Sequence, residues 1–476
     1  MRLYKTIIIT LFALLVTTGA VCSAEGTEVV VSTRPTKQEI VQDYLQAESI
    51  NTAAAMCLGL YDTKKAPELG FLADYGWKIT PFKLKEGKVD SSMVIAKNHL
   101  VAQDIDLYVL AFRGSVTTSD WLLNLDAGKT PYEPELAKLP KPDSSIPMVH
   151  KGFNNYVNTV LNIVMDIDED GDDENFIEEI KNNPKARLLL TGHSLGGAAA
   201  TLLAERLVSM GFAKERVPVI TFGAPAIGNA AFADAYGDKI LLLRVINASD
   251  PIPGSLQTFV GGYKQFGTPV SYKISRKFSD QQHEMALYFE MSISRFYAAF
   301  DAAVAAGLLK KPPMEYITPG MPKVAVWVGA GNTMAKKPYV PDVKRFIVNQ
   351  YQHLLPSYVI IEEPDSIYRA KTFSYRQYVG EAQAMGADYI LLVEIDAYQP
   401  RSGEKWYVNL NQTILKDNGD LITMTSIAKN VSPISGNVHA AIYAMRASGD
   451  ELRKYLPWIN KSVHKQLNSF VLGMQR

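Results

Sequence analysis

The hydrophobic pattern of the chain alternates between short apolar runs and longer stretches with apolar residues at helical spacing. The runs at residues 106–112, 188–190, 217–222 and 239–245 are largely apolar on both faces, which is typical of strands buried in a parallel sheet. Helical stretches lie between them, beginning with residues 37–62. Strands that alternate with helices predict an α/β fold, in which a mostly parallel sheet carries helices on both faces.

The last third of the chain has a pattern of its own. Prolines and a glycine at residues 312–322 mark a boundary, after which strands and helices start again. Asp417-Asn418-Gly419 predicts the turn of a hairpin, and residues 447–472 predict a final helix. We therefore expect a larger α/β domain over residues 25–312 and a smaller α+β domain over residues 320–476.

The first 24 residues predict a cleaved secretory signal peptide. A charged start, with Arg2 and Lys5, precedes an apolar stretch and a run of small residues that ends at Ala24. This indicates a secreted or periplasmic protein. In the alternative, Cys22 is the lipidated first residue of an outer-membrane lipoprotein, although Val21 before it fits that kind of site poorly.

Charge and cysteine content remove several classes of protein. The chain has 49 basic and 49 acidic residues, so it lacks the positive charge typical of nucleic-acid binding. Its two cysteines are Cys22 and Cys57, and signal cleavage after Ala24 would leave one thiol and no internal disulfide. Cys57 lies in an apolar helical stretch, where we expect a packed core residue rather than a nucleophile.

The strongest candidate for chemistry follows the apolar run at 188–190. Residues 192–196 read G-H-S-L-G, and a stretch of good helix formers follows at 198–210. A glycine-flanked serine between a strand and a helix is the pattern of a nucleophile elbow. We therefore predict Ser194 as a nucleophile, with the Leu195 N–H at the helix start available to a developing oxyanion.

A serine nucleophile needs a base, and the base needs an acid that orients it. On such a sheet the chain order is serine, acid, histidine. Asp250 follows the strand at 239–245, whereas Asp234 and Asp238 lie in the preceding helix and turn and are expected to be solvated. His283 is the first histidine after Asp250. Asp250 and His283 are thus the predicted partners of Ser194.

Two further segments have open interpretations. The strand at 106–112 ends near Ser115, whose N–H and hydroxyl suit the second half of an oxyanion hole, although a plain strand-ending turn explains the sequence too. Asp166, Asp168 and Asp170 imitate the start of a calcium-binding loop. The twelfth position of that loop is Ile177, and a solvated acidic loop explains it equally well. No other cofactor is indicated.

Several motifs together resemble one family. They are Phe112-Arg113-Gly114-Ser115 with Asp120-Trp121, Val149 to Phe153, Thr191 to Gly197, Thr221 to Pro225 with Gly228-Asn229, and Arg244-Val245 through Pro253. Residues 37–305 thereby resemble the fungal-type class 3 lipases, which are α/β-hydrolases. The resemblance implies Ser194, Asp250 and His283 as the triad, and Ser115 with Leu195 as the oxyanion hole. It also implies a lid over an acyl-binding groove. Opening of this lid at a lipid surface would expose Trp121, Leu122 and Leu125.

The chain departs from this family in several places. Ala226-Ile227 replaces the usual basic residue and valine. Tyr288 lies five positions after His283, further than the family usually places its tyrosine, and the 33 residues from Asp250 to His283 are also few for the fungal enzymes. The C-terminal domain loosely resembles small periplasmic modules such as the TolB N-terminal domain. We read it as a binding or envelope-association module with its own cell-envelope partner.

These patterns favour a serine carboxylic-ester hydrolase, expected to release fatty acids from acylglycerols at a lipid interface. Another acyl hydrolase on the same triad, such as a phospholipase, is the first alternative. The second alternative, from a different class, is an inactive envelope-binding protein. Nothing in the sequence indicates the acyl-chain length or the head group.

Overall fold

The computed structural model describes residues 35–61, 67–74, 76–86, 89–100, 104–114, 128–133, 145–166, 175–273, 282–334, 340–363, 366–368, 374–401, 404–431 and 436–459. The chain divides into two compact units. The first comprises residues 1–66 and 77–276, and the second comprises residues 67–76 and 277–476. The signal segment predicted at residues 1–24 lies outside the described residues.

The elements up to residue 276 belong to the first unit, except for α2. Their bounds are α1 Lys37–Gly59, α2 Pro67–Asp74, β1 Lys78–Glu86, β2 Val89–Leu100, β3 Ile105–Phe112, β4 Lys129–Pro131, β5 Met148–His150, α3 Lys151–Asp166, α4 Phe176–Asn182, β6 Ala186–His193, α5 Leu195–Ser209, β7 Val219–Phe222, α6 Ala230–Tyr236, β8 Leu242–Asn247, α7 Ile252–Ser255 and β9 Thr268–Tyr272.

The first unit is built on a seven-stranded sheet in the order β1-β2-β3-β6-β7-β8-β9. The strands from β3 to β9 in this order run parallel, whereas β1 and β2 are antiparallel. β6 is central and apolar on both faces because helices cover both sides of it. Leu190 packs into the core with α3 and α5, while Thr191 on the opposite face contacts Cys57 of α1. The α/β fold with a mostly parallel sheet is confirmed.

The elements after residue 276 all belong to the second unit. Their bounds are α8 Met285–Ala305, β10 Glu315–Tyr316, β11 Val324–Ala330, α9 Val340–Leu354, β12 Tyr358–Glu362, α10 Arg376–Ala384, β13 Tyr389–Tyr398, β14 Trp406–Lys416, β15 Leu421–Val431 and α11 Asn437–Tyr455.

The second unit contains a six-stranded sheet in the order β10-β12-β11-β13-β14-β15. β11 is parallel to β12 and β13, and the remaining pairs are antiparallel. The predicted hairpin is present as β14 and β15, and Gly419 in its turn has a φ of 89°, a conformation that suits glycine. A smaller α+β part after the larger α/β part is therefore confirmed.

Two details of the sequence interpretation differ from the structure. The last described helix is Asn437–Tyr455 rather than 447–472, and residues from 460 onward lie outside the described part. The compact units divide between residues 276 and 277, because α8 groups with the C-terminal elements. The domain boundary predicted at residues 312–320 stays a prediction. Within the described residues, no helix has the length and apolarity that crossing a membrane requires.

Candidate active site

Ser194 lies at the turn between β6 and α5. β6 ends at His193, α5 begins at Leu195, and Ser194 between them has φ 57° and ψ −124°. A residue other than glycine in this region carries strain of about 1–3 kcal/mol. The turn is held by neighbouring backbone, since the Ser194 N–H donates to the Phe222 carbonyl at 2.9 Å and the Ser194 carbonyl accepts from Gly197 at 3.0 Å. The predicted strand–turn–helix arrangement around Ser194 is confirmed.

The two glycines of the G-H-S-L-G sequence are required by close backbone approach. A Cβ atom on Gly192 would lie 2.2 Å from the carbonyl carbon of Gly196. A Cβ atom on Gly196 would lie 2.2 Å from the carbonyl oxygen of Phe112, at the end of β3. Side chains at either position would therefore push β6, α5 and β3 apart, and the turn that presents Ser194 would open.

The start of α5 provides a positive environment beside Ser194. Leu195 is the first residue of the helix, so its backbone N–H has no acceptor within the helix. The aligned peptide dipoles of a 15-residue helix add partial positive charge at this end. Leu195 thus begins the helix as expected, and its role as an oxyanion donor stays a prediction. Ser115, the other predicted donor, follows Gly114 and lies outside the described residues.

A buried contact supports the turn from the α1 side. Cys57 Sγ lies 3.4 Å from Thr191 Oγ1, and the Thr191 hydroxyl donates to the Ile220 carbonyl at 2.7 Å. Burial raises the pKa of the Cys57 thiol to about 12, so it is protonated at neutral pH. Cys57 is a packed core residue, as the sequence predicts, and not a thiolate nucleophile.

Asp250 lies three residues beyond the end of β8 and is 9% exposed. Its N–H donates to the Asn247 carbonyl at 2.9 Å, and its Oδ1 accepts the N–H of Ile252 at 2.8 Å. β6 and β8 flank β7 in the parallel sheet, so Ser194 and Asp250 both lie at the carboxyl edge, where α/β sheets bind ligands. Asp234 is exposed and paired with Lys264 at 2.6 Å, and the role of Asp250 as the acid stays a prediction.

His283 lies in the second unit, directly before Glu284, the N-cap of α8. His283 is 8% exposed. Burial raises the pKa of the neighbouring Glu284 carboxyl, and the charge of His283 acts in the opposite direction. Because Ser194 and Asp250 belong to the first unit, the role of His283 as the base of a triad stays a prediction.

His150 is a buried histidine of the first unit that contacts the start of α3. Its Nδ1 accepts the N–H of Gly152 at 3.1 Å, in the first turn of α3, and its ring stacks on Phe153. An imidazole nitrogen therefore satisfies one of the donors that a helix start leaves unpaired.

The other predicted positions lie outside the described residues. These are the lid residues Trp121, Leu122 and Leu125 and the acidic residues Asp168 and Asp170. Asp166 is the last residue of α3, and its side chain is not described. Among the described residues, no group of three or more histidine, cysteine or acidic side chains is arranged to hold a metal ion.

The sequence interpretation missed one contact at the elbow. The Tyr61 hydroxyl lies 2.6 Å from His193 Nδ1, directly beside the candidate nucleophile. Tyr61 is 132 residues away in sequence and follows α1, so only the packing of α1 on the sheet brings the two side chains together. A tyrosine just after a helix carries no sequence pattern that would have indicated this contact.

Comparison with known proteins agrees with this geometry. Residues 109–259, which include β6, Ser194 and Asp250, match the family model described as lipase (class 3). This part of the chain belongs to the class 3 lipase family. Relatives of this lipase segment include a chloroplastic phospholipase A(1), DAD1, of Arabidopsis thaliana, which is 34% identical over 149 residues. They also include a lipase of Rhizomucor miehei, which is 29% identical over 176 residues.

The similarity is confined to part of each protein. The Arabidopsis match spans 30% of this chain and 32% of the relative, and the Rhizomucor match spans 36% and 44%. Among solved structures, a lipase from Rhizopus microsporus var. chinensis has a TM-score of 0.39 at 20% identity, over 48% of this chain and 76% of that one. The family assignment rests on the family model and the sequence relatives. The resemblance of the C-terminal part to TolB-like modules is not supported by these comparisons.

Proposed function

We propose that this protein is a serine carboxylic-ester hydrolase that releases fatty acids from acylglycerols. The observation that carries the proposal is Ser194, held at φ 57° between a buried strand and a helix start. The family of the surrounding segment and the position of Asp250 at the same edge of the sheet support it.

The proposed reaction has two halves. His283 takes the proton of the Ser194 hydroxyl while Ser194 Oγ attacks the ester carbonyl. Asp250 stabilises the imidazolium that forms on His283. The N–H groups of Leu195 and Ser115 bind the tetrahedral oxyanion. His283 then protonates the departing alcohol, which leaves an acyl group on Ser194. A water molecule, deprotonated by His283, releases the fatty acid in the second half.

A phospholipid is the second candidate substrate, because several relatives of the segment are called phospholipases A1 and others lipases. We further propose that the protein acts outside the cytoplasm, on the basis of the signal pattern at residues 1–24. The C-terminal unit is proposed to bind a cell-envelope partner, and Trp121, Leu122 and Leu125 to form a lid that meets the lipid surface. A calcium ion at Asp166, Asp168 and Asp170 is a further proposal.

The test is hydrolysis by the purified mature protein. Nitrophenyl esters of increasing chain length, emulsified triacylglycerol and phosphatidylcholine vesicles are offered to the wild type, to Ser194→Ala and to Ser209→Ala. Ser209 is the matched control because it ends the same helix and its hydroxyl bonds to Glu205 at 2.8 Å. Loss of the Ser194 hydroxyl should lower kcat about a million-fold, as for other triads, while Ser209→Ala retains activity.

The substrate panel also distinguishes the alternatives. Activity on vesicles above that on triacylglycerol would favour the phospholipase. A folded wild-type protein that hydrolyses none of the substrates, with and without calcium, would favour the inactive envelope-binding protein.

A further inference from the structure

The environment of the Tyr61 hydroxyl connects three parts of the candidate site. Besides lying 2.6 Å from His193 Nδ1, the hydroxyl lies close to Gly114, just after the end of β3. A Cβ atom on Gly114 would lie 2.8 Å from the Tyr61 hydroxyl, 2.7 Å from the His193 carbonyl oxygen and 3.1 Å from Ser194 Cβ. The end of α1, the end of β3 and the nucleophile turn therefore meet at one point.

Tyr61 is held in place by the end of α1. It follows Leu60, the C-cap of α1, and its N–H donates to the Leu58 carbonyl at 3.1 Å. α1 is anchored to the sheet face through Cys57 and Thr191. The phenol ring lies edge-on to the His193 ring, with centroids 6.0 Å apart. A short hydrogen bond between two side chains on rigid elements transmits position well, because neither partner can move without breaking other contacts.

The contact joins the end of α1 to His193, and Gly114 at the end of β3 lies beside the same hydroxyl. His193 directly precedes Ser194 and Leu195, which carry the predicted nucleophile and one predicted oxyanion donor. The position of this turn decides whether both groups reach the same ester carbonyl, and small errors in such a position cost rate rather than substrate affinity. Ser194 is also strained, so its conformation depends on what surrounds it.

We propose that the Tyr61–His193 hydrogen bond is a positioning contact that holds the strained nucleophile turn against the end of α1. This inference rests on the proposed ester hydrolysis. It makes Tyr61 and His193 positioning residues that act through Ser194 and Leu195, without contact with the substrate.

The test combines single and double variants. Tyr61→Phe removes only the hydroxyl, and His193→Leu removes the ring nitrogens. Each should lower kcat about tenfold, the rate equivalent of one hydrogen bond, and leave KM within about twofold. His193→Asn keeps a polar atom near the Nδ1 position and should restore most of the rate. The double variant Tyr61→Phe/His193→Leu should be no slower than either single variant, because both lose the same contact.

Tyr108→Phe is the matched control. Tyr108 lies on β3, and its hydroxyl bonds to Glu179, away from Gly114. The Tyr108→Phe variant should leave kcat unchanged. The rate at which a phosphonate ester labels Ser194 gives a second reading of nucleophile geometry, expected to fall in parallel with kcat.

The outcomes separate this inference from the function on which it rests. If the wild type hydrolyses esters and Tyr61→Phe does so at the wild-type kcat, the positioning contact is refuted and the function stands. The same holds if the two single losses add in the double variant. If the wild type neither hydrolyses nor labels, the proposed function itself fails, and the inference fails with it. Should Tyr61→Phe not fold, the comparison of His193→Leu with His193→Asn decides alone.

Discussion

At the scale of single residues, Asp250 has a structural contact that can be separated from its proposed chemistry. Its Oδ1 accepts the Ile252 N–H, and an asparagine side chain can still accept that bond through its amide oxygen. Asp250→Asn should therefore fold normally but lose the negative charge that orients and stabilises the imidazolium. We expect kcat to fall about ten-thousand-fold, as in other triads, with an unchanged melting temperature.

Asp234→Asn is the control for that variant, because Asp234 is exposed and pairs with Lys264. Ester hydrolysis and thermal unfolding of both purified variants give the comparison. Equal activity of Asp250→Asn and Asp234→Asn would exclude Asp250 as the acid of the triad.

Gly196 tests the backbone packing of the nucleophile turn. A Cβ atom there would overlap the Phe112 carbonyl, and backbone cannot move aside as a flexible side chain can. Gly196→Ala should lower the free energy of unfolding by about 1–3 kcal/mol, the usual cost of overpacking, and abolish activity. Gly380→Ala is the control, since Gly380 lies in α10 with open space around it and alanine there should stabilise by up to about 1 kcal/mol. Urea unfolding measures both, and a Gly196→Ala protein with normal stability would contradict the packing argument.

At the scale of elements, local patterns predicted the parts of the fold that depend on short-range constraints. The strand, turn and helix around Ser194 and the Asp417-Asn418-Gly419 hairpin have residue types that few other conformations accept. β9 was not predicted, because Thr268–Tyr272 is a short strand of alternating exposure whose place in the sheet depends on pairing with β8. The predicted start of the last helix, residue 447, is ten residues later than the start of α11 for a similar reason. Gly436 is the N-cap residue of α11, and the side chain that accepts a hydrogen bond from the first turn lies on another helix.

That side chain belongs to Glu290, on α8. The His439 N–H, in the first turn of α11, donates to Glu290 Oε1 at 2.7 Å. Gly436 leaves room for the carboxylate, since a Cβ atom there would lie 2.1 Å from Glu290 Cδ. Burial raises the pKa of Glu290 to about 7, although the bond from His439 lowers it, and the charge of Asp342 raises it slightly further.

This arrangement predicts a pH dependence of stability. Because the folded pKa of Glu290 lies above the usual value of 4.5, the folded state binds the extra proton between these two values. The contribution of Glu290 to stability is thus fully present below about pH 4.5 and is lost as the pH rises through about 7. Glu290→Gln keeps an acceptor for the His439 N–H but carries no charge. It should be more stable than the wild type at pH 8 and should unfold with a flatter pH profile.

Urea unfolding between pH 5 and pH 8 measures the effect, and the difference between the wild type and Glu290→Gln separates Glu290 from the contact of His439 with Glu68. Asp450→Asn, an exposed carboxylate on α11 paired with Arg453, serves as the control and should leave the profile unchanged. A Glu290→Gln protein that is less stable than the wild type at pH 8 would show that the charged carboxylate is the better cap.

At the scale of the whole molecule, the division into units depends on contacts that no local pattern reveals. α2 lies between α1 and β1 in sequence but belongs to the second unit. There, Phe71 packs edge-on against Phe346 of α9, with ring centroids 6.0 Å apart, and Arg446 of α11 lies over the Phe71 ring. Prolines at residues 312–322 mark a change of pattern along the chain, but they say nothing about the side chains that α2 buries.

A chain shortened to residues 25–312 therefore should not behave as an independent folded domain. Removal of α9 and α11 would expose Leu69, Phe71 and Leu72, which are at most 8% exposed in the whole chain. Each such side chain contributes about 1.5–3 kcal/mol when buried. We expect the shortened chain to bind a dye for exposed apolar surface and to aggregate, as measured by fluorescence and light scattering.

The double substitution Phe71→Ser/Leu72→Ser provides the matched comparison, because its expected effect has opposite signs in the two chains. In the shortened chain it should lower dye binding and aggregation, since it removes apolar surface that has lost its cover. In the whole chain it should lower the free energy of unfolding of the second unit by several kcal/mol, since it removes buried apolar groups. A shortened chain as soluble and dye-free as the whole protein would mean that α2 does not depend on the second unit. The boundary expected at residues 312–320 would then also be a folding boundary.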